Sequence, residues 1–151
     1  MRTGAGFARW CPALLALAVC TAAAARADVA LREGWVAETP PAALATAAYG
    51  VLANGSDEAI ELVGVSSPAC ERVEIHRTID AGGVARMERV ERLALAAGEE
   101  VRFEPGGMHW MLIRPRSLAS GEEVAIVLEF ADGSRSELRL PVRSHGHHAP
   151  H

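Results

Sequence analysis

The chain has 151 residues, with 15 basic side chains against 19 acidic ones and a formal net charge of −4. Apart from histidine, every basic side chain is an arginine, and the sequence contains no lysine. An acidic chain without a basic stripe is a poor candidate for binding nucleic acid or an anionic membrane surface, so composition argues against both functions.

The N-terminal segment has the pattern of a secretory signal peptide. Arg2 and Arg9 give it a positive start, and residues 11–25 (CPALLALAVCTAAAA) are apolar but too short to span a membrane comfortably. Ala25-Arg26-Ala27 fits the cleavage site that follows such a stretch. We therefore predict that residues 1–27 are a signal peptide, cleaved after Ala27, and that the mature chain is exported with no membrane segment.

Two other interpretations of this segment stay open, namely an uncleaved anchor and a lipidated cysteine at Cys20. The sequence LAVC resembles a lipoprotein box only weakly. The residue before a lipidated cysteine is normally small, and Val19 is not.

The mature chain from Asp28 onward has 124 residues (151 − 27), which fits one domain with a hydrophobic core. Three arginines leave with the signal peptide, so 12 remain against 19 acids and the formal charge becomes −7. Cys70 is the one cysteine left, so no disulfide framework can be read. In the segment SSPACER this cysteine is predicted to be a loop thiol that binds no metal.

Turn signals divide the mature chain into short segments rich in β-branched and apolar residues; they are Asn54-Gly55, Gly82-Gly83, Gly106-Gly107 and Asp132-Gly133. Such spacing is typical of an all-β sandwich or barrel. The predicted strands are 29–36, 47–53, 59–65, 71–79, 84–90, 99–103, 109–114, 123–131 and 135–142. We predict one domain over residues 28–143, followed by a His-rich polar tail over residues 144–151.

The stretch GGMHWMLIRP (106–115) places two thioethers, an imidazole and an indole together at the start of a strand. Side chains at i and i+2 share a strand face, so His109 and Met111 point one way while Met108 and Trp110 point the other. Taken alone, one His-x-Met pair is most simply a satisfied histidine beside a core methionine. Met108 is predicted to fill a gap in the core. Trp110 either packs in the core, which we favour, or caps a site.

Two further residues change this interpretation. Outside the tail, the mature chain has only His76 and His109 as histidines, and Met87 is one of only three methionines. A hairpin around the Gly82-Gly83 turn would place Met87 on the strand next to His76. Thioether sulfur is soft and uncharged and favours Cu(I), whereas zinc sites rarely use methionine. Outside the cytoplasm, methionine and histidine also avoid the disulfide formation that threatens thiolate ligands.

The residues His76, Met87, His109 and Met111 form the pattern H-x10-M-x21-H-x-M. This pattern resembles the signature of the PCuAC family, which are small periplasmic copper chaperones. The surroundings are similar over residues 34–142, including Gly34-Trp35-Val36, the loop LVGVSSP (62–68) and the turn Pro105-Gly106-Gly107. The chain departs from the family at Ala37 and Glu38, where an arginine is often found.

The resemblance implies a cupredoxin-like Greek-key β-sandwich or barrel that binds Cu(I) through these four side chains in the periplasm. It also implies a metallochaperone, not an enzyme, that delivers copper to an acceptor protein. In the family the acceptor is typically the dinuclear copper centre of cytochrome c oxidase, in its subunit II, reached directly or through a partner thiol-disulfide copper chaperone. We expect a monomer.

The C-terminal tail holds four further histidines: His145, His147, His148 and His151. Imidazole suits Cu(II), so we predict a second, looser Cu(II) site here. The alternative is a polar end that binds no metal.

Other functions compete with copper delivery. Copper storage or scavenging would use the same ligands. A blue-copper electron-transfer protein would need a cysteine thiolate beside the histidines, and Cys70 has no matching spacing. A copper enzyme would need an open coordination position and redox cycling, which two methionines disfavour. A metal-free β-sandwich that binds protein or glycan is the remaining alternative.

Overall fold

The computed structural model describes residues 28–144. The predicted signal peptide and the tail histidines lie outside the described residues. Within the described range the chain forms ten β-strands and no helix, and accordingly no helix there is long and apolar enough to cross a membrane.

The strands, in chain order, are β1 (Val29–Ala37), β2 (Ala45–Asn54), β3 (Ile60–Ser66), β4 (Cys70–Asp80), β5 (Ala85–Val90), β6 (Leu93–Leu95), β7 (Glu100–Phe103), β8 (Met108–Pro115), β9 (Glu123–Phe130) and β10 (Arg135–Arg143). All nine predicted strands are present, with ends shifted by at most two residues. The strand β6 was not predicted.

The ten strands form one continuous sheet in the order β5-β4-β8-β7-β2-β1-β10-β9-β3-β6, and β2 also pairs with β8. Most neighbours are antiparallel, while β1 pairs with β10 and β7 pairs with β8 in parallel. Strands that are neighbours in space are often distant in the chain, as β4 and β8 are. The sheet curls around one hydrophobic core into a nearly closed barrel, so the predicted all-β sandwich or barrel is confirmed.

The core is built from alternate side chains, as a strand with one buried face requires. On β9 the inward residues are all buried; they are Val124, Ile126, Leu128 and Phe130. On β8 the inward Trp110 is fully buried, and its ring stacks on that of Phe103 with centroids 4.2 Å apart. Trp110 is therefore a core residue, and Met108 is half-buried against the same core.

The unpredicted strand β6 is held by tertiary contacts that local sequence does not reveal. Leu93 and Leu95 are buried while the residue between them is exposed, and β6 pairs with β3. The side-chain amide of Asn54, at the end of β2, donates to the backbone oxygens of Glu58 (2.8 Å), Leu95 (3.3 Å) and Ala96 (3.0 Å). This one buried amide ties the end of β2 to β6.

Cys70 is the first residue of β4 and not a loop residue as predicted. It pairs with Pro115 of β8, which extends the strand to include it. Its thiol is half-buried, with Sγ 3.3 Å from the backbone oxygen of Arg72. Burial raises the pKa of the Cys70 thiol, which disfavours the reactive thiolate.

Candidate metal centre

The four predicted ligands lie on three adjacent strands at one edge of the sheet. His76 of β4 is directly opposite His109 of β8. Met87 of β5 is opposite Thr78 of β4, two residues along from His76. Met111 is two residues along β8 from His109. Because side chains two residues apart share a strand face, the register brings all four to one face of the sheet.

This shared face is the outer one. The intervening side chains of β4 and β8 point inward and are buried in the core: Val73, Ile75, Trp110 and Leu112. The side chains of β8 therefore point as predicted. Trp110 packs in the core, and His109 and Met111 lie on the opposite face.

The two histidine rings face each other across the β4–β8 pairing. Their centroids are 5.8 Å apart and their planes meet at 64°. His109 is 7% exposed, while His76 is only slightly more open. Two imidazoles at this separation, on rigid neighbouring strands, are placed to share one small ligand between them.

His109 is held in one tautomer by the backbone. Its Nδ1 lies 3.3 Å from the carbonyl oxygen of Gly107. A carbonyl oxygen only accepts hydrogen bonds, so Nδ1 carries the proton and Nε2 keeps a free lone pair. Burial lowers the pKa of His109, with a smaller contribution from the nearby His76, so this lone pair stays available at neutral pH.

His76 is held by a carboxylate. Its Nε2 lies 2.8 Å from Oε2 of Glu74, and an ionised carboxylate can only accept, so Nε2 is the donor. The hydrogen bond from His76, followed by that from Arg72, holds the pKa of Glu74 below its usual value. The other ring nitrogen, Nδ1, is buried without a hydrogen-bond partner. A buried polar atom without a partner is costly, and a bound ion at Nδ1 would supply what is missing.

The thioethers differ in exposure. Met111 is half-buried within the sheet, whereas Met87 is 62% exposed on the edge strand β5. Met87, His109 and Met111 line an open depression together with Tyr49 and small or polar residues: Ala45, Thr46, Ala47, Thr78, Pro105 and Gly106. His76 does not line this depression. The depression is therefore closed on the side of His76 and open on the side of Met87.

Among residues 28–144, no three His, Cys, Asp or Glu side chains form a group that could hold a metal ion. The predicted set is different in kind, because half of its donors are thioether sulfurs.

Glu74 is the site residue that the sequence prediction left out. It lies on the same face of β4 as His76 and is paired opposite Met111 of β8. The alternation of β4 already placed Glu74 and His76 on one face, which was the available signal. What the sequence could not show is the 2.8 Å contact between them.

Cys70 lies at the other end of the β4–β8 pairing from the histidines. Cys70 lies six positions before His76 on β4, which corresponds to about 20 Å of extended strand. It is therefore remote from the candidate metal centre. The tail histidines lie outside the described residues.

The family model with the description "Putative lipoprotein LpqE-like" matches residues 29–142 of this chain. The chain belongs to this family. The LpqE-like chain is 35% identical over 101 residues to "Putative lipoprotein Lxx21020" of Leifsonia xyli subsp. xyli, a match covering 65% of the chain and 60% of that relative. It is also 34% identical over 99 residues to "Uncharacterized protein RP573" of Rickettsia prowazekii, of which it covers 55%. The chain thus spans less than two thirds of the length of the curated relatives it matches.

Solved structures agree with this assignment. The LpqE-like chain is 32% identical to DR1885 of Deinococcus radiodurans. The match to the apo structure of DR1885 covers 97% of this chain and 95% of the DR1885 chain, with a TM-score of 0.61. The match to the structure of CuI-DR1885 has the same TM-score and covers 82% of this chain and 83% of the CuI-DR1885 chain. The copper-bound PCuAC domain of PmoF2 has a TM-score of 0.63, with coverage of 82% and 97%, and at 18% identity it shows the fold alone. The resemblance to the PCuAC family and the cupredoxin-like fold are therefore confirmed.

Proposed function

We propose that this LpqE-like protein is an exported copper-binding protein. It binds one Cu(I) ion as cargo, with His76, Met87, His109 and Met111 as the ligands. The observation that carries the proposal is the opposed His76–His109 pair, flanked on the same sheet face by Met87 and Met111. The relative DR1885 has been solved as a Cu(I) form, which supports the choice of ion.

The donor set suits Cu(I) for chemical reasons. Two imidazoles and two thioethers are neutral and, in the case of sulfur, soft, so they favour Cu(I) over hard cations. Four neutral donors leave the ion with its single positive charge, which suits a cargo that must be released. The buried, unpartnered Nδ1 of His76 is in keeping with a missing ligand at this point.

The exposure of the donors indicates where an acceptor would approach the bound copper. Met87, which is 62% exposed, is the donor that an incoming acceptor could displace first. We propose delivery in the periplasm to a copper acceptor, such as the dinuclear centre in subunit II of cytochrome c oxidase or a partner thiol-disulfide chaperone. In this view the protein acts as a monomeric carrier and not as an enzyme, because two thioethers hold the ion as Cu(I) and oppose redox cycling.

The first experiment is an anaerobic titration of the mature protein with Cu(I), in competition with a chromophoric chelator. We expect one tightly bound Cu(I) per chain, with affinity strongly reduced by Met111→Ala and by Met87→Ala. Unchanged affinity in both variants would rule out the four-ligand assignment. The loaded protein should also lack the intense visible absorption of a copper-thiolate, and a deep blue product would indicate an electron-transfer site instead.

The second experiment mixes the Cu(I)-loaded protein with purified apo-acceptor domains and follows the metal after separation. Transfer to the soluble domain of cytochrome c oxidase subunit II, or to a thiol-disulfide chaperone, supports delivery. Retention of copper against every acceptor would favour storage or scavenging, which uses the same site.

A further inference from the structure

Glu74 occupies a position in the candidate metal centre that its surroundings define closely. It lies two residues before His76 on β4, and its Oε2 accepts the hydrogen bond from Nε2 of that histidine at 2.8 Å. The two side chains are only 12% and 15% exposed, so water competes little for the contact. The second carboxylate oxygen, Oε1, accepts from Nε of Arg72 at 3.0 Å and, less closely, from Arg89 at 3.5 Å.

We propose that Glu74 is the positioning residue of the copper site, which fixes the ring of His76 as its Nε2–H tautomer so that copper is taken at Nδ1. This inference rests on the proposed function and adds to it a residue outside the four donors. Metal-binding histidines commonly give their second N–H to a carboxylate, which sets the ring orientation and makes the metal-facing nitrogen a better donor. In the described structure that nitrogen is buried and has no other partner.

His109, the other histidine of the pair, is held as the opposite tautomer. His109 gives its Nδ1–H to the carbonyl oxygen of Gly107, which leaves Nε2 as its free nitrogen. The pair therefore offers copper two different nitrogens, Nδ1 from His76 and Nε2 from His109. A carboxylate fixes the first and the backbone fixes the second, so side-chain substitution can release only the tautomer of His76.

The arginines around Glu74 connect the positioning contact to the open side of the site. Arg89 is opposite His76 on β5 and two residues from Met87. The chain Arg89–Glu74–His76 thus bridges β5 and β4 with charge-assisted contacts. Arg72 adds a third contact on β4 itself, so Glu74 is held as a carboxylate that can only accept from the histidine.

The experiment compares three variants of the full mature protein. Glu74→Ala removes the acceptor, and Glu74→Gln keeps an oxygen acceptor without the charge. Glu71→Ala is the matched control, since Glu71 lies on the same strand and also contacts Arg72 but does not contact the histidine. Long-range ¹H–¹⁵N correlations of the apo protein report the tautomer of His76, and anaerobic competition with a chelator reports Cu(I) affinity.

We expect the wild type and Glu71→Ala to show the Nε2–H tautomer and equal Cu(I) affinity. Glu74→Ala should give a mixed tautomer and an affinity lower by about 10- to 100-fold, as is typical when the partner of a metal-binding histidine is lost. Glu74→Gln should restore the tautomer and most of the affinity. The tautomer readout separates positioning from a general loss of folding, which would broaden or shift signals throughout the spectrum.

Two outcomes would overturn the inference. If wild type binds Cu(I) but Glu74→Ala keeps both the tautomer and the affinity, Glu74 does not position the histidine and the proposed function survives. If wild type binds no Cu(I), the proposed function fails first and the role of Glu74 at a copper site fails with it.

Discussion

Met87 allows metal binding to be separated from folding. It is 62% exposed on the edge strand β5 and makes little contribution to the core, whereas the other predicted donors are at least half-buried. The informative substitution is Met87→Leu, because leucine has nearly the same volume and polarity but lacks the sulfur donor. Any loss of copper affinity in this variant reports the thioether itself.

The expected effects on stability and on binding differ in size. An exposed substitution away from special contacts changes the free energy of unfolding by at most about 0.5 kcal/mol, which corresponds to a shift in Tm of about 2 °C for a domain of this size. Removal of a residue that only hydrogen-bonds to a metal ligand typically weakens metal binding by about 10- to 100-fold. Loss of a donor itself should weaken Cu(I) binding by at least as large a factor. That range corresponds to about 1.4–2.7 kcal/mol of binding free energy.

The measurement pairs thermal unfolding of the apo protein with anaerobic Cu(I) competition. Val84→Ala is the control, because Val84 is 59% exposed and apolar and lies at the end of the same hairpin, outside the predicted donor set. We expect both variants to unfold within about 2 °C of the wild type, and only Met87→Leu to lose affinity. Equal Cu(I) affinity in all three proteins would refute the reasoning, since it would mean that the sulfur of Met87 does not bind the ion.

Four further outcomes are expected. Asn54→Ala removes three backbone hydrogen bonds made by a buried amide and should cost about 3 kcal/mol of unfolding free energy, measured as a lower urea midpoint. Trp110→Ala should cost about 3–5 kcal/mol in the same measurement, because it empties a fully buried site beside Phe103; a cost under about 1 kcal/mol would contradict its place in the core. Hydrogen bonds from the side chain and then the backbone of Ser134 lower the pKa of Asp132, so their stabilisation is complete above the unfolded pKa of about 3.9 and is lost as pH falls through the folded pKa. The difference in urea midpoint between wild type and Asp132→Ala should therefore shrink as pH is lowered from 5 towards 2, and a difference independent of pH would contradict this cause. Removal of residues 144–151 should lower the number of Cu(II) ions bound in equilibrium dialysis while leaving Cu(I) affinity unchanged, and loss of Cu(I) binding would mean that the tail completes the main site.

Local patterns predicted the strands well because each carries its own turn and alternation. The Gly82-Gly83 turn is enough to predict that β4 and β5 pair, and hence that Met87 lies near His76. The strand β6 escaped prediction because it has three residues, one of them alanine, and depends on the burial of two leucines and the amide of Asn54. Those contacts join positions about forty residues apart, which no local pattern contains.

The candidate site shows the same limit. Scarcity of histidine and methionine, together with strand alternation, indicated the four donors and the inward direction of Trp110. The direct opposition of His76 and His109 depends on the register between β4 and β8, which is set by pairing across more than thirty residues of chain. The role of Glu74 depends on a contact between two side-chain atoms, and a sequence pattern does not specify such distances.

The β4–β5 hairpin bears on how similar sites can be found in other proteins. Met87 reaches its place because it pairs opposite Thr78, while residues 81–84 only close the turn. Two extra residues in that turn would leave the pairing and the arrangement of side chains intact, yet the ten-residue spacing between His76 and Met87 would disappear. A search for fixed spacing would therefore pass over such chains. The feature that does not depend on turn length is the pairing of the strands. A methionine lies opposite the second residue after a histidine in a β-hairpin, and a later strand carries His-x-Met.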